Sequence, residues 1–136
     1  NDGMGAYIAS QFVKAMLKRQ IRVKGARVLI MGLTFKENCP DLRNTRVTDI
    51  ITELADYNIE LEVYDPWVDS QAARDEYAIE VVNELQADSY DGVILAVGHR
   101  EFIAMGSERI CALGRKNRVI YDLKNVLPIE ASELRL

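Results

Sequence analysis

The sequence predicts an α/β fold: a parallel sheet with helices on both faces, preceded by a long N-terminal helix. Three observations predict it. From about residue 25 onward, short apolar runs alternate with segments of helical periodicity, the pattern of βαβ units. The run Ala26 to Met31 is continuously apolar but for Arg27, as in strands covered on both faces. Ahead of it, residues 4–19 place Ile8, Phe12, Val13, Met16 and Leu17 at helical spacing.

The elements follow in order. Lys14, Lys18 and Arg19 sit toward the end of the first helix, where cations suit the helix dipole. Gln20 to Gly25 reads as a linker, and Ala26 to Met31 as the first strand. Val47, Ile50, Ile51, Leu54 and Ala55 form a helical stripe, with Thr45 or Asn44 as its cap. Glu60 to Tyr64 is a strand stopped by Asp65-Pro66, and Ser70 to Tyr77 is a short polar helix. Ile79 to Val82 reads as a short strand, and Gly92 to Val97 as a buried one. Ser107 caps a helix to Leu113, and Arg118 to Tyr121 is a last strand before Asp122. The plan divides into residues 1–24, a helix with its linker, and 25–136, the α/β domain.

Composition narrows the function classes. The chain has 136 residues, enough for one domain, and 49% hydrophobic residues, enough for a core. The net charge of −4 and pI near 5.1 speak against nucleic acid as a partner. No apolar run approaches the roughly 20 residues of a membrane span, and the start resembles no signal peptide. The first residue is Asn1, not Met. A cytoplasmic chain, cut from something longer and with no membrane contact, is the expectation. The two cysteines, Cys39 and Cys111, read as free thiols, and a single histidine, His99, leaves no metal-ligand cluster.

In open parallel sheets ligands bind beyond the C-terminal strand ends. Here these are residues 32–45, 65–69, 98–102 and 122–126. A dinucleotide-binding domain carries G-x-G-x-x-G after its first strand; this chain has Gly32, then Thr34 and Glu37 at the later positions. The domain is therefore Rossmann-like without the fingerprint, and independent NAD binding is not expected. The loop instead carries Lys36, Glu37, Asp41, Arg43 and Arg46. Lys36 can reach an anionic ligand, and Arg43 precedes a helix N-terminus, itself an anion site. A solvated polar loop is the alternative reading of the same residues.

Three motifs in order, Gly32-Leu33-Thr34-Phe35-Lys36, Asp41-Leu42-Arg43-Asn44-Thr45 and Val63-Tyr64-Asp65-Pro66, resemble the C-terminal domain of the UDP-glucose/GDP-mannose dehydrogenase family. The opening Asn1-Asp2-Gly3-Met4-Gly5 and its helix are similar to that family's central helix, which joins two domains and builds a dimer. The variants Thr34, Glu37-Asn38-Cys39-Pro40 and Asp122-Leu123-Lys124 look most like the branch that oxidises UDP-N-acetylhexosamines for surface polysaccharides, the Vi-antigen type included.

The resemblance implies roles. Phe35 and Lys36 match positions that contact the UDP-sugar. Arg43 matches an arginine that reaches NAD held by the other domain. Lys124 falls where the UDP-glucose enzymes carry an arginine near the substrate. The implied reaction is two hydride transfers from the sugar C6 alcohol to NAD, through a cysteine of the preceding domain. Neither Cys39 nor Cys111 fits that nucleophile, so no catalytic residue is expected in this chain, which alone would be inactive. The implied partners are a UDP-sugar, the NAD-binding domain of the same protein and a second copy through the N-terminal helix.

His99 reads as a capping or surface residue, with contact to ligand left open for it and for Arg100. Asp65-Pro66 reads as a structural turn. The cluster Lys14, Lys18, Arg19, Arg22, Lys24 and Arg27 reads as a solvated helix end, and Tyr7, Phe12 and Met16 as core or dimer contacts. Two other readings stay open: a UDP-glucose dehydrogenase domain, and a non-catalytic nucleotide-binding module. A Mg²⁺-dependent receiver domain is rejected, because Met31-Gly32-Leu33 supplies no acid at the first strand's end.

Overall fold

A computed structural model describes residues 3–136. Asn1 and Asp2 of the opening motif lie outside the described residues. The expected α/β architecture is present: five parallel strands in the order β2-β1-β3-β4-β5. They are β1 (Arg27–Met31), β2 (Glu60–Tyr64), β3 (Tyr90–Leu95), β4 (Gly114–Asp122) and β5 (Leu134–Arg135), accompanied by α1 (Met4–Lys18), α2 (Val47–Ala55), α3 (Ser70–Tyr77) and α4 (Arg100–Leu113). β1 pairs with β2 on one side and β3 on the other. The strand order reverses there, which makes the C-terminal ends of β1 and β3 the switch point of the sheet.

Side-chain alternation along β1 builds two cores. Val28 and Ile30 point to the face covered by α1, α2 and α3, where Ile8, Phe12, Met16, Val47, Ile50, Leu54 and Ala73 are buried. Leu29 and Met31 point to the opposite face, where Phe102, Ile110 and Leu113 of α4 are buried. Phe12 and Met16 are core residues with no exposure, whereas Tyr7 is 53% exposed. The Phe12 ring lies directly on the β3 backbone at Gly92. A Cβ built on Gly92 would sit 2.2 Å from Phe12 Cζ, so only glycine lets this ring reach the sheet. At the opposite end from the switch point, Arg27 Nε donates to Glu62 Oε2 at 2.8 Å and the Tyr90 hydroxyl donates to Glu62 Oε1 at 2.8 Å. Burial first, then the Glu62 carboxylate, pushes the Tyr90 phenol up to about 12.

Several elements depart from the sequence reading. The stretch 79–82 is no strand but a single bridge, Val81 to Val63. β3 begins two residues early, at Tyr90, and ends at Leu95 rather than Val97. α4 begins at Arg100, not after Ser107. Gly106 adopts φ 80°, ψ 163° inside it and kinks it, and this break hid the first half, whose buried anchor is Phe102. β4 begins at Gly114, earlier than residue 118, because its exposed start Arg115-Lys116-Asn117 has no apolar signal. β5, only Leu134 and Arg135, was too short to see. Arg46 rather than Thr45 or Asn44 occupies the cap position of α2, although the Thr45 hydroxyl accepts a hydrogen bond from Val47 N–H at 3.3 Å.

Gly92→Ala is expected to destabilise the chain by about 2 kcal/mol through overpacking against Phe12. Urea denaturation would show a lower midpoint at unchanged slope. A wild-type midpoint would mean that the ring moves aside freely.

Candidate functional site

The site is assembled where β1 ends. Gly32 has φ 103°, and a Cβ on it would lie 2.5 Å from Val97 Cβ. A glycine is therefore required on both conformational and steric grounds. The chain leaves the sheet here into the loop 32–46. Asp65, at the end of β2, and His99, after β3, come from the strands on either side of β1 and meet across its end.

Asp65 is buried and receives hydrogen bonds on both oxygens. Leu33 N–H and Thr34 N–H donate to Oδ2 at 2.7 and 3.1 Å. Trp67 N–H and Val68 N–H donate to Oδ1 at 2.7 and 3.2 Å. His99 Nε2 lies 3.0 Å from Oδ2, and both side chains are fully buried. Burial alone would raise the Asp65 pKa. The hydrogen bonds from His99, Leu33 and Trp67 outweigh it and hold the carboxyl below its ordinary range.

The remaining contacts fix the imidazole tautomer. Asn38 N–H donates to His99 Nδ1 at 3.0 Å, so Nδ1 carries no proton. The Thr34 hydroxyl donates to Lys36 O at 3.2 Å and lies 3.2 Å from His99 Nε2. With its own proton engaged, it accepts. Nε2–H is thus shared between the Asp65 carboxylate and Thr34. The expectation of a capping or surface histidine is corrected in one respect. His99 does precede α4, but it makes no side-chain cap and has no exposure. Both ring nitrogens are committed to protein groups, and the ring lies beside Trp67 and Phe102. Arg100 is exposed. Its guanidinium sits 4.7 Å from the centre of the Trp67 ring, and its N–H donates to Asn38 Oδ1 at 2.8 Å.

Between the two anchor points, Leu33-Thr34 and Asn38, residues 35–37 form an arch. Phe35 is 50% exposed, and Lys36 and Glu37 are exposed beside it. Phe35 also lines a cleft with Asn44, Thr45, Arg46 and Asp49 at the start of α2. On the arch's other side lies Gly98. A Cβ there would be 3.5 Å from Glu37 Cγ and 3.7 Å from Lys124 Cβ. The structure thus brings Lys124 next to the arch. A second buried acid positions it: Asp122 Oδ1 accepts from Lys124 N–H and Val126 N–H, and Oδ2 from Leu127 N–H, at 3.0, 3.2 and 2.8 Å.

Arg43 stands apart from this group. Its side chain is 83% exposed and forks onto Asp41 at 3.0 and 3.1 Å. The hydrogen bonds from Arg43 hold the Asp41 carboxyl below its ordinary range. Cys39 lies half-buried in the loop, and Cys111 Sγ–H donates to Ala131 O at 3.2 Å within α4's surroundings. The crevice does not fit a dinucleotide. Gly32 is closed against Val97, and the first backbone N–H groups after β1, those of Leu33 and Thr34, already serve Asp65. Among the described residues no helix is long and apolar enough to cross a membrane.

This geometry defines a Rossmann-like domain with a ligand edge but no dinucleotide cradle. Residues 29–129 match the model of the UDP-glucose/GDP-mannose dehydrogenase family, UDP binding domain, and the chain belongs to that family. It is 61% identical over all 136 residues to UDP-N-acetyl-D-glucosamine 6-dehydrogenase of Pseudomonas aeruginosa and 52% identical to that of Salmonella typhi. It spans 32% of the length of each. In fold it is similar to NDP-N-acetyl-D-galactosaminuronic acid dehydrogenase from Methanosarcina mazei, with a TM-score of 0.82 at 21% identity, covering 96% of this chain and 27% of that one.

Of the residues expected to bind ligand, the structure places Phe35, Lys36 and Lys124 on one edge and leaves Arg43 outside. The sequence reading missed the network beneath. A strand-end Asp65 and a strand-end His99 were the available signal, but their meeting depends on the strand order.

Asp65→Asn is expected to cost about 3 kcal/mol, since it replaces a charged acceptor of several hydrogen bonds with a group that is half donor. The folded pKa is depressed, so the carboxylate's contribution is complete above the usual aspartate range, near pH 4, and fades as pH falls through the lower folded value. Urea titrations of the two proteins should therefore converge below about pH 4. A gap independent of pH would refute the ionised role.

Proposed function

We propose that this chain is the C-terminal, nucleotide-sugar-binding portion of an NAD-dependent UDP-N-acetylhexosamine 6-dehydrogenase. The observation that carries the reading is the exposed arch of Phe35 and Lys36 beside Lys124 on the switch-point edge. The two UDP-N-acetyl-D-glucosamine 6-dehydrogenases similar to it over the full length of the chain support it. Phe35 offers an aromatic face for the uracil or sugar. Lys36 and Lys124 offer ammonium groups for the diphosphate.

In the whole enzyme the C6 alcohol of the sugar is oxidised to a carboxylate in two steps. NAD bound by a preceding domain would supply the hydride acceptor for each step, with water as the source of the second carboxylate oxygen. The nucleophilic cysteine belongs to that same domain, and the chain alone is inactive. Arg43, exposed and held only by Asp41, is the residue available to reach the cofactor. Residues 1–24 belong to the central interdomain helix and its linker, and 25–136 are the nucleotide-sugar domain. Met4, Tyr7 and Leu17 of α1, 43%, 53% and 61% exposed, supply apolar surface for a homodimer. The enzyme acts in the cytoplasm, and its uronic acid product serves surface polysaccharide synthesis.

Titration calorimetry should detect weak binding of UDP to this chain and hardly any NAD binding. NAD binding without UDP binding would overturn the reading. In the whole dehydrogenase, Lys36→Ala should raise the KM for the UDP-sugar about tenfold or more, as loss of a charge-assisted hydrogen bond does. The KM for NAD should stay nearly constant. A change in NAD alone would contradict the assignment.

A further inference from the structure

The arch of residues 35–37 has no hydrophobic support of its own. Phe35, Lys36 and Glu37 are all exposed; Phe35 N–H donates to Asp41 O at 2.7 Å, and the rest of the arch is held from its two feet. One foot is Leu33-Thr34, tied to Asp65. The other is Asn38, whose φ of 55° turns the chain back and aims its N–H at His99 Nδ1. Its side-chain oxygen meanwhile accepts from Arg100 N–H at the start of α4. Asp65 and His99 are themselves hydrogen-bonded, so one buried pair holds both feet. The grip on the second foot requires a bare Nδ1, and a bare Nδ1 requires the proton on Nε2. Asp65 and Thr34 select that form.

We propose that His99 is a positioning residue for nucleotide-sugar binding, setting the height and tilt of the Phe35–Glu37 arch through its Nδ1 acceptor without touching the ligand. This rests on the proposed role of the arch. It adds that the affinity for the nucleotide-sugar is controlled from beneath, by a tautomer that a carboxylate on another strand dictates.

Substitution separates the two ring nitrogens. In His99→Gln the amide nitrogen replaces Nε2 and serves Asp65, and Asn38 N–H loses its acceptor. In His99→Asn the amide oxygen replaces Nδ1 and the grip on Asn38 is kept. In the whole dehydrogenase, His99→Gln should raise the KM for UDP-N-acetylglucosamine about tenfold, the scale of one buried donor left unpaired. The kcat and the KM for NAD should move less than about twofold. His99→Asn should recover most of that loss although it breaks the bond to Asp65. Equal KM values for the two variants, or a wild-type KM in His99→Gln, would overturn the proposal.

Should both variants fail to fold, the imidazole is read directly in the wild-type chain, where His99 is the single histidine. Long-range ¹H–¹⁵N spectra at neutral pH should show a protonated Nε2 and a bare Nδ1; the opposite tautomer would refute the mechanism. Lys36→Ala separates the two claims. If it leaves the UDP-sugar KM unchanged, the reading of the arch fails. If it raises that KM while the His99 variants do not, only the positioning role fails.

Discussion

The path of the chain beyond β1 depends on one buried carboxylate, Asp65. A charge taken out of water costs several kcal/mol unless fixed dipoles replace its hydration. Around Asp65 they do: backbone N–H groups from two loops and one imidazole N–H converge on its oxygens. The same contacts that make the carboxylate tolerable in the interior determine the path of the chain as it leaves β1. Stability and site geometry therefore have a common origin here and cannot be varied independently.

This arrangement also accounts for what the switch-point crevice does not do. In a dinucleotide-binding domain, the N–H groups just after the first strand face a pyrophosphate at the mouth of a helix. In this chain the N–H groups of Leu33 and Thr34 face an anion too, but the anion is Asp65. An internal carboxylate has taken the place of an external phosphate. The following helix does not start until Val47, and the intervening residues rise out of the crevice as a loop. The exposed groups at this edge are Phe35, Lys36 and Lys124, the residues of the proposed site. Asp122 repeats the device at the end of β4, collecting the N–H groups of Lys124, Val126 and Leu127. The two lysines of the proposed site thus each stand on a loop organised by a buried aspartate, Asp65 at the neighbouring strand's end for Lys36 and Asp122 of the same strand end for Lys124.

The difference between what the sequence revealed and what it hid follows from this construction. α2 and β2 were legible to the residue because their apolar spacing is local, α3 because the polar segment Ser70–Tyr77 follows the Asp65-Pro66 stop, and so was the missing glycine fingerprint. The residues of the proposed site came from motifs that resemble a family's. The support beneath them was not, because Asp65 and His99 are 34 positions apart and belong to strands that do not neighbour each other. Only the order β2-β1-β3 brings them together, and strand order is a property of the assembled sheet. A lone histidine beyond a strand gave no hint that both its nitrogens were engaged. The hidden half of α4 has a different cause: Gly106 interrupts the periodicity, so Ser107 looked like a beginning when it follows a kink.

The N-terminal helix bears on the same edge from the other side. Its apolar stripe is buried in the sheet's own core, with Phe12 seated on Gly92, so α1 cannot slide along the sheet without vacating that contact. Its first turn meets α2 closely: a Cβ on Gly5 would stand 2.7 Å from Asp49 Cβ. Just ahead of α2, the Thr45 hydroxyl donates to Leu33 O at 2.6 Å, at the root of the arch. From α1 to α2 to Thr45 to Leu33, each step is a close contact or a short hydrogen bond. α1 is consequently held in fixed register with the root of the arch. For a site whose other half is proposed to come from a separate domain, such registration is a physical requirement, because reacting groups displaced by an ångström lose much of their rate.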